Sequence, residues 1–100
     1  MALTSKQRKY LRSMAHELDP VLIIGKDNVT SGTVSLANDA LEARELIKCS
    51  VLDTSDLTAR EAADELARMT RSECVQVIGR KFSLYRETHR KDVKKIELPR

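Results

Sequence analysis

The stretch Asp19-Pro20-Val21-Leu22-Ile23-Ile24-Gly25-Lys26-Asp27-Asn28 joins a helix end, a buried strand and a tight turn. The residue before a proline avoids the helical region, so Asp19-Pro20 predicts the end of a preceding helix. Residues 21–24 are aliphatic, mostly β-branched and bounded by Pro20 and Gly25, which predicts a buried strand. Residues 25–28 are of types that favour tight turns and tolerate positive φ.

The segment before this stretch has the pattern of an amphipathic helix. Thr4 and Gln7 stand at the spacing of a capping box, which marks a helix start. Between residues 11 and 18, apolar residues recur at intervals of three and four, as on a helix that buries one face. At about 100° per residue, the basic side chains fall roughly opposite that apolar stripe. They are Arg8, Lys9 and Arg12.

The segment after the stretch alternates helices with strands. Thr30 or Ser31 caps a second helix, and residues 45–51 are typical of a second strand. Thr58 and Glu61 form a capping box that opens a third helix. The residues of this helix expected to face inward are Ala62, Leu66 and Met69.

The last third of the chain predicts a hairpin followed by a charged tail. Residues 74–78 read as a third strand, and Gly79-Arg80 as a tight turn into residues 81–86, whose alternation predicts a half-exposed strand. In the tail, residues 87–100, Ile96 and Leu98 are compatible with a short edge strand. The order αβαβαββ predicts an α/β domain over residues 1–86, with helices packed on a four-stranded mixed sheet.

The composition is that of one folded domain without obvious targeting or metal-binding features. The chain has 100 residues, 41% of them hydrophobic and 33% charged, which predicts a folded single domain. No run of about 18 apolar residues is present, so we expect no membrane span. Cys49 and Cys74 lie in apolar stretches without ligand spacing, which favours buried reduced thiols, a cytoplasmic location and no cofactor.

The net charge of +3 is unevenly distributed. Residues 1–26 carry five basic and two acidic residues, residues 27–79 carry five and ten, and residues 80–100 carry eight and three. Two basic ends flanking an acidic middle predict one cationic face if the ends meet in the fold.

The residue types favour RNA binding over catalysis. The sequence contains no nucleophile elbow, no P-loop and no dinucleotide fingerprint. A turn beginning Gly25-Lys26 before a helix start can bring backbone N–H groups and an ammonium group close to phosphate. Aromatic residues make up only 3%, which argues against a stacking platform for single strands and favours recognition of folded RNA by shape and backbone.

The chain resembles the CRM domain (chloroplast RNA splicing and ribosome maturation) of the stand-alone bacterial YhbY type. The resemblance runs from about Leu3 to Arg86 and depends on the order and spacing of several short segments. These segments are Leu3-Thr4 with Arg8 and Leu11, Pro20 through Gly25-Lys26, Val29-Thr30, Glu45-Leu46-Ile47-Lys48, Val75 to Arg80, and Leu84-Tyr85-Arg86.

The resemblance implies three helices on a four-stranded mixed sheet, as in the C-terminal domain of translation initiation factor three. It also implies RNA binding and association with precursors of the large ribosomal subunit. The loop of this family is Gly-x-x-Gly, which corresponds here to residues 25–28. Asn28 replaces the second glycine, and Arg71 stands where a glycine usually ends the third helix.

We therefore expect a monomeric, non-enzymatic RNA-binding protein that acts as an assembly factor of the large ribosomal subunit. The first helix and two later segments are expected to contact RNA. The expected contacts are Lys6, Arg8, Lys9 and Arg12 for phosphates, Gly25, Lys26, Asp27 and Asn28 as a backbone clamp, and Arg80, Lys81 and Arg86 as further cationic surface. For Glu45 and Lys48, contacts to RNA and a role at strand and helix ends are about equally favoured. The alternative function is a protein–protein adaptor that docks on the ribosome.

Overall fold

The computed structural model describes residues 3–100 and has the predicted element order, αβαβαββ. The elements are α1 (Ser5–Ala15), β1 (Leu22–Ile24), α2 (Ser31–Arg44), β2 (Leu46–Val51), α3 (Ala59–Thr70), β3 (Glu73–Ile78) and β4 (Lys81–Tyr85). The expected α/β class, with three helices on one four-stranded mixed sheet, is confirmed.

The strands are ordered β1-β2-β4-β3. β1 pairs with β2 in parallel, whereas β4 pairs antiparallel with both β2 and β3. The last strand is therefore central, and the prediction that it is half-exposed is wrong: residues 82–85 are all buried. Its alternating sequence arises because the two faces bury different kinds of side chain, apolar Phe82 and Leu84 on one face and Ser83 and Tyr85 on the other.

Side-chain caps define where each helix begins. Thr4, Thr30 and Thr58 each accept a hydrogen bond from the backbone N–H three residues later, and each belongs to a complete capping box. α2 is thus capped by Thr30 rather than Ser31. Arg71 ends α3 with φ +56° and ψ +42°, so an arginine holds the left-handed conformation that glycine most often adopts at a helix end.

The sheet has a core on each face. One core lies between the sheet and helices α2 and α3, and it includes Leu41, Leu66 and Phe82. The other lies beneath α1, where Leu11 and Ala15 pack against Leu46, Val75 and Tyr85. Of the residues predicted to face inward on α3, Ala62 and Leu66 are buried, but Met69 is 45% exposed. Met69 lies in the last turn of α3, where the buried position is taken by Thr70.

Residues 86–100 form neither helix nor strand, and carboxylates of α2 and the residue after it hold them in place. Glu45, predicted to begin β2, instead follows α2 with φ +64° and is fully buried. Its carboxylate accepts the backbone N–H groups of Thr88 at 2.8 Å and Ile96 at 2.6 Å. Because the N–H of Ile96 is used in this way, no edge strand forms there, although Ile96 and Leu98 do pack beside α1.

Glu42 also holds this tail. Its Oε1 accepts the backbone N–H of His89 at 3.0 Å, and its Oε2 accepts a bond from the Arg86 guanidinium at 3.1 Å. The backbone N–H of His89, aided by Arg86, holds the pKa of the Glu42 carboxyl below its ordinary value.

Replacing Gly79 by alanine should lower the free energy of unfolding by about 1 kcal/mol, because an L-residue is strained at positive φ. Gly79 has φ +58°, whereas Gly25 does not lie in that region, and a Cβ on Gly25 would meet only ordinary contacts at 3.7 Å. Gly25→Ala is the matched control and should change stability by no more than about 0.5 kcal/mol. Urea denaturation of both variants measures these changes. Equal losses of stability in the two variants would contradict the requirement for glycine at the positive φ of residue 79.

The contribution of Glu42 to stability should depend on pH. Its pKa is lower in the folded state, so the unfolded chain takes up a proton first as the pH falls. The stabilisation is therefore complete above about pH 4.3 and is lost as the pH falls through the folded-state pKa. The difference in unfolding free energy between the wild type and Glu42→Gln should shrink over that range. A difference that stays constant with pH would show that the charge on Glu42 is not involved.

Candidate nucleic-acid interface

The arginines of α1 lie beside its buried stripe rather than opposite it. Arg8 and Arg12 are half-buried and face β3, whereas Lys6 and Lys9 are exposed. A guanidinium nitrogen of Arg8 donates to the backbone carbonyl of Cys74 at the beginning of β3. α1 packs across the sheet against β2 and β3, so its position brings these two arginines to the outer strand.

A third arginine approaches the same strand from the other side of the sheet. Arg60, in the first turn of α3, lines a cleft of about 380 Å³ together with Arg8, Arg12 and residues 74–77 of β3. Arg60 also forms an exposed ion pair with Asp64 at 3.4 Å, which contributes little because both side chains are mostly in solvent. We call this the arginine cleft. Three guanidinium groups along an outer strand are suited to phosphate, which they bind through paired N–H donors.

Beyond the end of α1, the same face of the sheet is only partly covered. Its residues form two rows in register across the strands, and we call them the open sheet face. The rows are Ile23, Ser50, Lys81 and Ile78, and then Lys48, Ser83 and Gln76. Ile23 and Ile78 are 63% and 57% exposed. None of the seven residues is acidic, so this face is cationic and partly apolar.

Lys48 is held in position on this face, whereas Lys81 extends freely from the first residue of β4. The Lys48 ammonium donates to the carbonyl of Ala15 at 3.3 Å, at the end of α1 where the helix dipole is negative. Within residues 3–100, no carboxylate lies at ion-pair distance from Arg8, Arg12, Lys48 or Lys81. None of these four cations is neutralised by a carboxylate of the described residues, although Arg8 and Lys48 each donate to a backbone carbonyl.

The loop of residues 25–28 lies at a different edge of the domain and is fixed to its neighbour. Asn28 has φ +57°, the left-handed conformation that the sequence led us to expect. Its Oδ1 accepts the hydroxyl of Ser55 at 2.7 Å and the backbone N–H of Asp56 at 3.1 Å. A glycine could take the same backbone conformation but could not make these bonds, so Asn28 joins the two loops.

The surroundings of this loop are less cationic than those of α1. Lys26 and Asp27 are both exposed at its tip. Asp53 and Asp56 line a depression with Gly79 and Arg80, and the backbone N–H of Val51 donates to the carbonyl of Arg80 at 2.7 Å. The loop and the Arg80 turn therefore both lie near the β2–α3 loop at one end of the strands, where aspartates offset part of their positive charge.

Arg86 is not part of this surface, contrary to the prediction. It lies at the other end of β4, and its side chain is only 18% exposed. One nitrogen donates to Asn38 Oδ1 and to the carbonyl of Thr70, both at 2.7 Å, and the other to Glu42 at 3.1 Å. Arg86 thus connects α2, α3 and the tail, which is a structural role that a count of basic residues does not reveal.

Two residues of this surface, Arg60 and Gln76, were not expected from the sequence, and the role of Lys48 was left open between two alternatives. Arg60 stands within an acidic helix, so nothing in its neighbourhood indicates that it faces Arg8 and Arg12. A β-bulge between Cys74 and Gln76 changes which residues share a face with Ser83, and no sequence pattern revealed it. The alternation of β2 does place Lys48 opposite Ile47 and Cys49, which is the signal that could have assigned it to the face of α1.

Within residues 3–100 there is no group of histidine, cysteine and acidic side chains that could hold a metal ion. Burial raises the pKa of the Cys49 thiol to about 12, so it stays protonated, and the pKa of Cys74 is also raised by burial. No helix in the described part of the chain is long and apolar enough to cross a membrane.

Arg86→Gln should lower the free energy of unfolding by about 2 kcal/mol, because it leaves Glu42 and two carbonyls of the interior without their charged donor. Arg80→Gln is the matched control, since Arg80 is exposed in a turn, and should change stability by no more than about 0.5 kcal/mol. Both values can be obtained from urea denaturation. If Arg86→Gln is as stable as the control, its contacts do not hold the tail.

Known proteins are similar to this chain in sequence and in fold. Residues 3–86 match the family described as the CRS1 / YhbY (CRM) domain. The "Probable RNA-binding protein YqeI" of Bacillus subtilis is 44% identical over 97 residues, which cover 97% of this chain and 99% of that protein. An "RNA-binding protein" of Haemophilus influenzae is 35% identical over 98 residues, covering 98% and 96%. The solution structure of the hypothetical protein SAV1595 from Staphylococcus aureus is similar with a TM-score of 0.77 and 44% identity, covering 98% and 100%. The chain belongs to the CRS1 / YhbY (CRM) domain family.

Proposed function

We propose that this protein binds structured RNA, and specifically ribosomal RNA in precursors of the large ribosomal subunit. The observation that carries the proposal is the set of unpaired cations on one side of the domain. Arg8, Arg12, Lys48 and Lys81 lie along α1, the outer strand and the open sheet face without a carboxylate partner in the described residues. The names of the relatives from B. subtilis and H. influenzae add support for RNA as the ligand.

The geometry favours contact with the RNA backbone. Guanidinium groups on a helix and on the neighbouring strand can each bind a phosphate, and such contacts release counterions from the nucleic acid. Lys6 and Lys9, exposed on α1, extend the same cationic region. The loop of residues 25–28 remains a proposed backbone clamp, at the edge of the sheet beside Arg80.

The ribosomal part of the proposal comes from the resemblance to YhbY-type proteins, and it includes a monomer acting in the cytoplasm. The family is one of RNA-binding domains and not of enzymes, so we assign no catalytic residue. The second candidate, a protein adaptor on the ribosome, predicts binding that does not depend on the arginines of α1.

Arg12→Glu should weaken binding to large-subunit ribosomal RNA and reduce the salt dependence of the binding constant. Loss of one phosphate contact should lower the slope of log K against log salt by about 0.7 to 0.9. Arg8 is left unchanged because its guanidinium also holds the Cys74 carbonyl. Arg68→Glu, an exposed arginine on α3, is the matched control for the change of charge. Fluorescence anisotropy over a salt series measures both, and an affinity independent of salt would exclude the electrostatic account.

Sedimentation of cell lysate on sucrose gradients tests the ribosomal part of the proposal. We expect the wild type and Arg68→Glu to sediment with large-subunit precursors at low salt, and Arg12→Glu to stay at the top. An Arg12→Glu variant that sediments like the wild type would favour the adaptor. If the wild type is found only at the top of the gradient at low salt, stable binding to precursors is excluded. Binding to RNA itself is then decided by the anisotropy measurement.

A further inference from the structure

We propose that the pocket where α1 ends against the open sheet face holds one unpaired base of the bound RNA. This inference rests on the proposed RNA-binding function and adds a source of base preference to it. The pocket has a volume of about 180 Å³ and is bordered by His16 and by side chains of β2, β3 and β4. It lies outside the loop and outside the arginine cleft.

The floor of the pocket is a row of residues in register on three neighbouring strands. Lys48 of β2 pairs with Ser83 of β4, and Ser83 pairs with Gln76 of β3. The next row contributes Lys81 and Ile78, and His16 at the end of α1 closes one side. The pocket exists because α1 ends at Ala15, which leaves these two rows without a helix above them.

Two polar side chains in the pocket lack partners. Ser83 lines the pocket, and its hydroxyl makes no hydrogen bond to residues 3–100 but is not one of the buried polar atoms without a partner, so it is open to the space of the pocket. The amide group of Gln76, half-buried beside it, is likewise unpaired in that part of the chain. A hydroxyl and an amide that line one space can each donate and accept hydrogen bonds, so they are suited to a ligand with donors and acceptors on its edge.

The size and lining of the pocket select the ligand. Pockets for drug-sized molecules occupy about 300–1,000 Å³, so this smaller one is suited to a single base and not to a whole nucleotide or a larger cofactor. Ile78 gives the pocket an apolar side. The pocket is also lined by His16, Lys48 and Lys81 but by no carboxylate. A base displaced from an RNA helix has apolar faces and polar edges, and it remains attached to phosphates that the lysines attract.

The pocket lies next to the arginine cleft. Gln76 lines both, since the cleft runs along residues 74–77 of the outer strand. An RNA backbone that crosses Arg12 at the cleft would therefore bring the adjacent nucleotide to Gln76. Phosphate contact and base contact would then come from neighbouring positions of one RNA strand.

The test uses the full chain and a short RNA hairpin in three forms: with a single bulged nucleotide, with an abasic site at the bulge, and fully paired. Fluorescence anisotropy should show wild-type protein binding the bulged hairpin about tenfold more tightly than the other two. Gln76→Ala and Ser83→Ala should each lose most of that preference while retaining affinity for the paired hairpin. Ser35→Ala, an exposed serine on α2, is the control and should behave as the wild type.

The outcomes separate this inference from the function on which it rests. If the wild type binds none of the hairpins and no ribosomal RNA, the proposed function fails. If it binds all three equally, or if the Gln76 and Ser83 variants keep the preference, the base pocket is excluded and RNA binding stands. Circular dichroism checks folding, and Lys81→Gln, at an exposed position, provides a further pocket variant should one of the others unfold.

Discussion

The short length of α1 is the constraint on which the candidate interface depends. An α-helix of 11 residues spans about 16 Å, and α1 uses that length to cover Leu46, Val75 and Tyr85 at one end of the sheet. The other face carries two helices and a continuous apolar core, so the sheet is stable without cover over its remaining rows. The domain thus leaves part of a well-ordered sheet in solvent, with side chains held in register by the strands.

The distribution of charge follows from the same arrangement. The cationic residues of α1 lie on the same side of the sheet as Lys48 and Lys81. The aspartates of the β2–α3 loop lie instead at the end of the strands where residues 25–28 are found. Asn28 keeps that loop closed by binding Ser55 and Asp56. The departure from the Gly-x-x-Gly pattern therefore retains the turn and connects it to the β2–α3 loop. Because that loop carries aspartates, the arginines of α1 are the stronger candidates for phosphate contact.

Basic and acidic residues in this chain serve two separate purposes. At the end of the domain away from the loop, Glu42, Glu45 and Arg86 hold residues 86–96 through backbone and side-chain bonds. Residue type alone assigned Arg86 to the RNA surface and Glu45 to a strand. Burial and bonding partners decide otherwise, because a buried charge must be paired and hydrogen-bonded.

The sequence by itself determined the element order, the helix starts and the class of the fold. Capping boxes, apolar periodicity and the Asp19-Pro20 boundary are local signals, and each acts within a few residues. Only the tertiary structure decided that β4 lies between β2 and β3, that Arg60 joins Arg8 and Arg12, and that a bulge aligns Gln76 with Ser83. These features depend on pairing between strands and on helices that approach from opposite faces. Such contacts join residues far apart in the chain, and no local pattern encodes them.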